Sequence, residues 1–281
     1  MAAPQPGRSK LDLACELARL IAGRYPDRQV HLVGDAAYAG KTLRGLPKQV
    51  TVTTRLRADA ALYALAGPRQ PSQRGRPRVK GERLPELIVL AAMTSVAWQQ
   101  VQVRCYGQTC TKTLHSLVCL WPTVFGARPA RVVLVRAPGA PDGYELALVS
   151  TDLDATPAEL VERYANRWQV EVLFEEARQT AGVGQARNRT ARAVERTVPF
   201  GLVCVSLVVV WYALHGQPAT DVAARRALPP WYRTKRTVSF ADMHAALRCE
   251  IIAAQYRPGR LVEPTPVEIL QVQAARPAAA A

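Results

Sequence analysis

Two carboxylates in this chain have the type and placement that a divalent cation needs. Asp35 ends the short β-type run in "QVHLVGDAAYAG", and α/β sheets put ligand-binding groups at the C-terminal ends of their strands. Glu171 lies in "TPAELVERYANRWQVEVLFEEAR", Thr156 to Arg178, which reads as a single helix. Thr156 is a good N-cap, Pro157 suits the first turn, and Glu159 completes a capping box. The firm start lets the phase be counted. At about 100° per residue, Tyr164, Arg167, Glu171 and Arg178 share an arc of roughly 60°, with Glu175 close by. A strand-end carboxylate facing a helix carboxylate offers the hard oxygens that Mg²⁺ takes, with substrate phosphates completing the shell. The plainer alternative is a solvated face laced with i,i+4 pairs such as Arg167–Glu171, each contributing about 0.3–0.5 kcal/mol.

The elements that must position these groups are legible in outline. Residues 10 to 24 read as an amphipathic helix, with Ser9 as N-cap and Leu13, Leu17, Leu20 and Ile21 at helical spacing. "QVHLVG" and "KQVTVTTRLRAD" read as strands separated by a helix-length gap, which predicts an α/β unit with parallel strands. Residues 66 to 85, rich in Pro, Gly and Arg, cannot be packed core. A helix over Pro85 to Ala97 follows, then β-like runs at Val101–Tyr106, Leu114–Trp121, Arg131–Val135 and Tyr144–Ser150. The last third reads as helical, and the terminal "AARPAAAA" as disordered.

"Y-x2-R-x3-E-x6-R", at Tyr164, Arg167, Glu171 and Arg178, resembles the tyrosine–arginine–glutamate–lysine signature of bacterial insertion-sequence transposases of the DDE type, with Arg178 in place of the lysine. "LVGDAAYAGK" is similar to the segment carrying the second catalytic aspartate of that family. The approach "VSTDLDATPAELVERYANRWQVEVLFEEAR" and a β-rich insertion between aspartate and glutamate also resemble it, over roughly Gln29 to Ala213.

The resemblance implies an α/β, ribonuclease H-like fold, incomplete at the N-terminus. It divides the chain into a partial core at 1–65 carrying Asp35, a basic loop and β-rich insertion at 66–150, a catalytic-helix part at 151–215 carrying Glu171, and a C-terminal helical region at 216–281. In the family, three carboxylates hold two metals, one activating water or a DNA 3′-hydroxyl and the other stabilising the leaving oxygen. By that transfer Asp35 and Glu171 are metal ligands for Mg²⁺ or Mn²⁺, and Tyr164, Arg167 and Arg178 meet DNA phosphate. Arginine at 178 keeps the charge and changes its geometry to a planar fork. The implied partners are the terminal inverted repeats and target DNA, with a homodimer open, no membrane, and a DNA-associated place in the bacterial cytoplasm. The family's first aspartate has no counterpart. Asp12 and Glu16 fall in the first helix and Asp27 in a turn, so the sequence reads as the C-terminal portion of a transposase, with little activity alone.

Composition agrees with DNA as partner. Lys and Arg outnumber Asp and Glu by 37 to 22, for a net charge of +15, which favours polyanions: nucleic acid first, an anionic membrane surface second. "RGRPR", at Arg74, Arg76 and Arg78 with Lys80 following, resembles an AT-hook. It suits nonspecific phosphate contact, minor-groove readout or a plain solvated loop. Trp168, beside the catalytic stripe, either packs or stacks on an unpaired base; Trp98 and Trp121 read as packing residues. "PPWYRTKRTVSFADMHAALR", after Pro229, either contacts DNA or docks on the core. Cys105, Cys110, His115 and Cys119 come close to a zinc knuckle, but two of them sit within a strand, and core thiols with an ordinary histidine fit better. The six cysteines and the absence of an apolar leader in "MAAPQPGRSK" suggest reduced thiols in a cytosol. Val198 to Leu214 is a long uncharged run, read as a buried core helix. P-loop, dinucleotide and G-x-S-x-G signatures are absent. Two rivals stay open: a non-catalytic DNA-binding remnant using the basic loop and C-terminal patch, and a membrane-associated protein using the 198–214 run.

Overall fold

Valine and threonine alternate in "VTVTTR", and the segment forms strand β2 (Val50–Arg55), paired in parallel with β1 (Val30–Gly34) from Val30 opposite Val50 to Gly34 opposite Thr54. A computed structural model describes residues 7–68, 75–93, 95–140, 142–185, 189–227, 232–255 and 267. The chain divides into two units, Met1–Gln169 and Val170–Ala281.

In the first unit, helix α1 (Lys10–Arg24) starts as expected at Ser9, whose hydroxyl accepts from the Asp12 amide while Asp12 reaches back, a complete capping box. The gap between β1 and β2 holds two 3₁₀ turns, Ala36–Tyr38 and Lys41–Gly45, and not the helix its length suggests. Gly40, Gly45 and Pro47 break up any longer helix there. Helix α2 is shorter than the Pro85–Ala97 expectation, covering Leu87–Ala92.

The remaining strands are β3 (Gln99–Cys105), β4 (Gln108–Leu120), β5 (Pro129–Arg136) and β6 (Leu146–Ser150), with the one-turn helix α3 (Pro122–Phe125) between β4 and β5. They continue the same sheet: β6 pairs antiparallel with β2, and the six strands run β1-β2-β6-β5-β4-β3. β3 and β4 meet at a two-residue turn, Tyr106 and Gly107, with φ of +52° and +77°. Positive φ at both positions matches the twist of a hairpin.

Successive residues of the central strands face opposite cores, as the pleat requires. Val132, Leu134, Ala147 and Val149 join α1, α2, Trp121 and Phe125 on one face. Val133, Val135 and Leu148 join Val103, Leu114, Leu160 and Val161 on the other. The helix supplying Leu160 and Val161 is α4 (Pro157–Ala165), capped by Thr156 and Glu159 as expected. Each of these two fully packed aliphatic chains contributes about 1.5–3 kcal/mol of burial. On α1 the buried residues are the small ones, Cys15, Ala18 and Ala22, while Leu13, Leu17, Leu20 and Ile21 are exposed. The short side chains let the helix lie close to the sheet.

The expected single helix from Thr156 to Arg178 is two. α4 ends at Ala165 and α5 spans Trp168–Gln179, with the unit boundary inside it after Gln169. At the join the Arg167 amide bonds the Tyr164 carbonyl and the Gln169 amide bonds the Asn166 carbonyl, both at 3.0 Å. Such i→i−3 bonds belong to a tighter turn of three residues, so a phase counted at 3.6 does not carry across. Asn166, a modest helix former, sits at this point.

The second unit is helical: the rest of α5, then α6 (Ala191–His215), α7 (Pro218–Arg226) and α8 (Phe240–Gln255). The 198–214 run is helical but not buried all round. Val205, Val208 and Tyr212 are buried, whereas Phe200, Leu207 and Leu214 are exposed, because α6 packs along one stripe, with α8 among its neighbours. By length and composition alone α6 could cross a membrane. Asp242 is the polar anchor of this unit. It pairs with Arg225 and Lys235, each at 2.7 Å, and accepts from the amide and hydroxyl of Ser239. The terminal "AARPAAAA" lies outside the described residues, as does the start of the patch at 229–231.

Candidate active site

Asp35 follows β1 directly, at the C-terminal end of the parallel pair. One carboxylate oxygen accepts from the Ala37 amide at 2.8 Å, capping the first 3₁₀ turn. The backbone before it has no room for a side chain: a Cβ on Gly34 would come within 2.8 Å of Tyr38 Cβ. Glycine at 34 thus lets Tyr38 fold back beneath the turn that presents Asp35.

Asp35 lines an open cleft of about 810 Å³ together with Arg55, Arg57, Tyr144, Tyr164 and Arg167. The parallel register explains two of these. Arg55 ends β2 and Arg57 lies two residues on, so both sit beside the end of β1. The last turn of α4 brings Tyr164, and the turn after it brings Arg167, whose guanidinium lies 5.8 Å from the Tyr164 ring. Two further carboxylates line the cleft but are engaged. Asp59 forms a two-pronged pair with Arg57 at 2.9 and 3.0 Å. Glu145 holds Lys112 at 3.1 Å and accepts from the Ala137 amide. Asp35 forms no ion pair among the described residues, and only one of its oxygens takes a protein hydrogen bond. The arrangement suits an anionic ligand that brings a hard cation: several guanidinium groups face one strand-end carboxylate.

Asp35, Tyr164 and Arg167 therefore share one cleft. Glu171 and Arg178 belong to the second unit, where both are exposed and lie seven residues apart on one face of α5. Among the described residues no group of three or more His, Cys, Asp or Glu side chains gathers as a metal site.

Sequence reasoning missed Arg55, Arg57 and Tyr144. The rule that singles out Asp35 at a strand end also covers Arg55 once β2 is known to run parallel to β1. It missed Tyr106 as well. Trp168 is half-exposed; with Tyr106 and Gln169 it lines a hollow of about 510 Å³. Trp121 is buried against Phe125, and Trp98 stacks with the Arg136 guanidinium at 3.9 Å.

Arg76, Arg78 and Lys80 are exposed, and Lys80 Nζ sits 3.6 Å from the Tyr63 ring centre. Arg74 lies outside the described residues. Cys105 and Cys110 pack on the α4 face of the sheet, whereas Cys119 is buried in the opposite core and His115 Nδ1 bonds the Ala97 carbonyl. The sheet itself divides these four potential ligands. Burial pushes the Cys119 thiol up to about 12, so it stays protonated at neutral pH.

One more aspartate, Asp152, is buried past the end of β6, beside the start of the parallel pair and away from Asp35. Burial alone would raise its carboxyl. The Arg163 guanidinium at 2.9 Å and the Ala155 and Asp154 amides outweigh that and hold it low. His31 lies 3.8 Å away. This is a structural knot that fixes α4 to the sheet.

A family model described as "Transposase DDE domain" matches residues 6–206. No curated protein matches the chain.

Proposed function

Since the chain belongs to the transposase DDE domain family, we propose that the Asp35 cleft is the part of the transposase that receives the scissile DNA phosphate. One observation carries this reading: the strand-end carboxylate shares its cleft with Tyr164, Arg167 and Arg55.

In this reading Asp35 and Glu171 each serve as ligands for Mg²⁺ or Mn²⁺. When bound, one cation would activate the attacking oxygen and a second would stabilise the leaving one. The carboxylate oxygen of Asp35 that takes no protein hydrogen bond is suited to a hard cation, and Mg²⁺ relies on one or two carboxylates with phosphate oxygens and water for the rest. Arg55 and Arg167 grip the phosphate through planar, charge-assisted hydrogen bonds. Arg57, held by Asp59, borders the same entry. Tyr164 supports Arg167 through its ring face. Arg178, Arg76, Arg78 and Lys80 add sequence-independent contacts to the flanking backbone. The parallel β1–β2 pair ending in Asp35 supports a ribonuclease H-like reading of the core, with the 66–150 strands inserted before the Glu171 helix.

The test uses the full chain and a labelled duplex carrying the element's terminal inverted repeat. Nicking at the repeat end in Mg²⁺ or Mn²⁺, lost in Asp35→Asn and in Glu171→Gln, supports the proposal. Binding without metal-dependent nicking, equal in wild type and both variants, favours a non-catalytic DNA-binding protein.

A further inference from the structure

Arg57 and Asp59 face each other in the Asp35 cleft, on the tight turn that follows β2. Each carboxylate oxygen accepts one hydrogen bond from the same edge of the guanidinium, from Nε at 3.0 Å and from Nη2 at 2.9 Å. The side chains are 64% and 69% exposed, and an ion pair this open to water adds little to stability. Other contacts hold the backbone of the turn. The Leu56 amide donates to the Ala147 carbonyl at 2.8 Å and the Ala60 amide to the Arg57 carbonyl at 3.1 Å. Leu56 and Leu62 are buried on either side. The pair therefore sits on a fixed turn that does not depend on it. Arg55, two residues earlier in the same cleft, forms no ion pair among the described residues.

We infer that Asp59 is an internal competitor for DNA: its carboxylate occupies on Arg57 the two-pronged seat that a backbone phosphate takes when DNA enters the cleft. The inference rests on the phosphate-binding reading of that cleft given above. Carboxylate and phosphate both offer a pair of oxygens to the planar fork of arginine, so one replaces the other while the backbone stays in place. The Arg57 bonds hold the Asp59 carboxyl below its ordinary range, so the competitor is charged at neutral pH. Asp59 is thus a positioning residue. It withholds one cation from loosely held polyanions and yields it to a strand that Arg55 and Arg167 already grip.

The experiment is a double-mutant cycle of Asp59→Ala and Arg57→Ala in the full chain, read as affinity for a labelled duplex by fluorescence anisotropy. Asp59→Ala is expected to tighten binding roughly fivefold. The gain should shrink below about twofold when Arg57 is already alanine, because no guanidinium is left to release. Melting temperatures of all three variants should match wild type, since neither side chain is packed. A gain of equal size in both backgrounds means that Asp59 only repels DNA, and no gain in either means that it does not compete. Each of these results overturns the inference and leaves the cleft reading standing, so long as Arg55→Ala and Arg167→Ala weaken binding. If those two variants bind as tightly as wild type, the cleft reading fails and the competitor fails with it.

Discussion

The Glu162 carboxylate accepts a 2.7 Å hydrogen bond from the Arg104 backbone amide, joining helix α4 to the edge strand β3 across 58 residues of chain. β3 is the last strand of the sheet, so this bond supplies a partner to an edge amide and fixes the hairpin that carries Tyr106. Glu162→Ala should cost about 1–2 kcal/mol of stability and speed hydrogen exchange at the Arg104 amide. Unchanged exchange at that amide, read by NMR, would show that the bond does not hold the hairpin.

Asp35→Asn preserves the size of the side chain and its acceptor for the Ala37 amide but removes the charge. Metal-dependent nicking should fall by at least roughly 100-fold, the scale of several kcal/mol of lost metal stabilisation. The melting temperature should stay close to wild type, because the residue is only half-buried and forms no ion pair among the described residues. Full activity in the variant, with Mn²⁺ as well as Mg²⁺, would remove Asp35 from the site.

Arg55→Ala and Arg167→Ala each delete one cation from the cleft. Duplex affinity should weaken, and the slope of log K against log salt should become shallower by about 0.9 per residue. Fluorescence-anisotropy titrations between 50 and 200 mM salt, on the order used for such slopes, read this directly. A parallel shift of the lines with no change of slope would mean the side chains act without touching phosphate.

Asp242 offers a test of the second unit. Burial alone would raise its carboxyl, but hydrogen bonds from Lys235 and Ser239 outweigh burial and hold it below its ordinary range. Its contribution to stability is therefore fully present above the unfolded carboxylate value near 4 and is lost as pH falls through the lowered folded value. Asp242→Asn takes the buried carboxylate away from Arg225 and Lys235 and should cost about 3–5 kcal/mol at neutral pH. It should also flatten the acid limb of the stability profile, measured by urea unfolding of both proteins from pH 7 down to about 2. Parallel acid limbs would place the acid sensitivity elsewhere.

Much of the local structure needed no tertiary information. Ser9 and Thr156 start their helices because a side-chain oxygen meets an amide three residues on. β2 forms on an unbroken run of β-branched residues, Val50–Thr54, and Asp35 directly follows the apolar β1 beside it. Tyr164 and Arg167 are brought near each other by a single helical turn.

What required the folded chain depends on distance and register. The tightened turn at Asn166 carries no proline or glycine to announce it, and it ends the phase count before Glu171. The choice of Cys15, Ala18 and Ala22 over the leucines as the buried face of α1 was made by the nearness of the sheet. Register put Arg55 and Arg57 beside Asp35, and a sheet that continues from β2 into β6 brought Tyr144 to the same cleft. The sequence by itself determined the capped starts of α1 and α4 and the end of β1 at Asp35, because capping and β-propensity act over a few residues. Only the tertiary structure decided which side chains meet, because pairing register and packing distance join segments about a hundred residues apart.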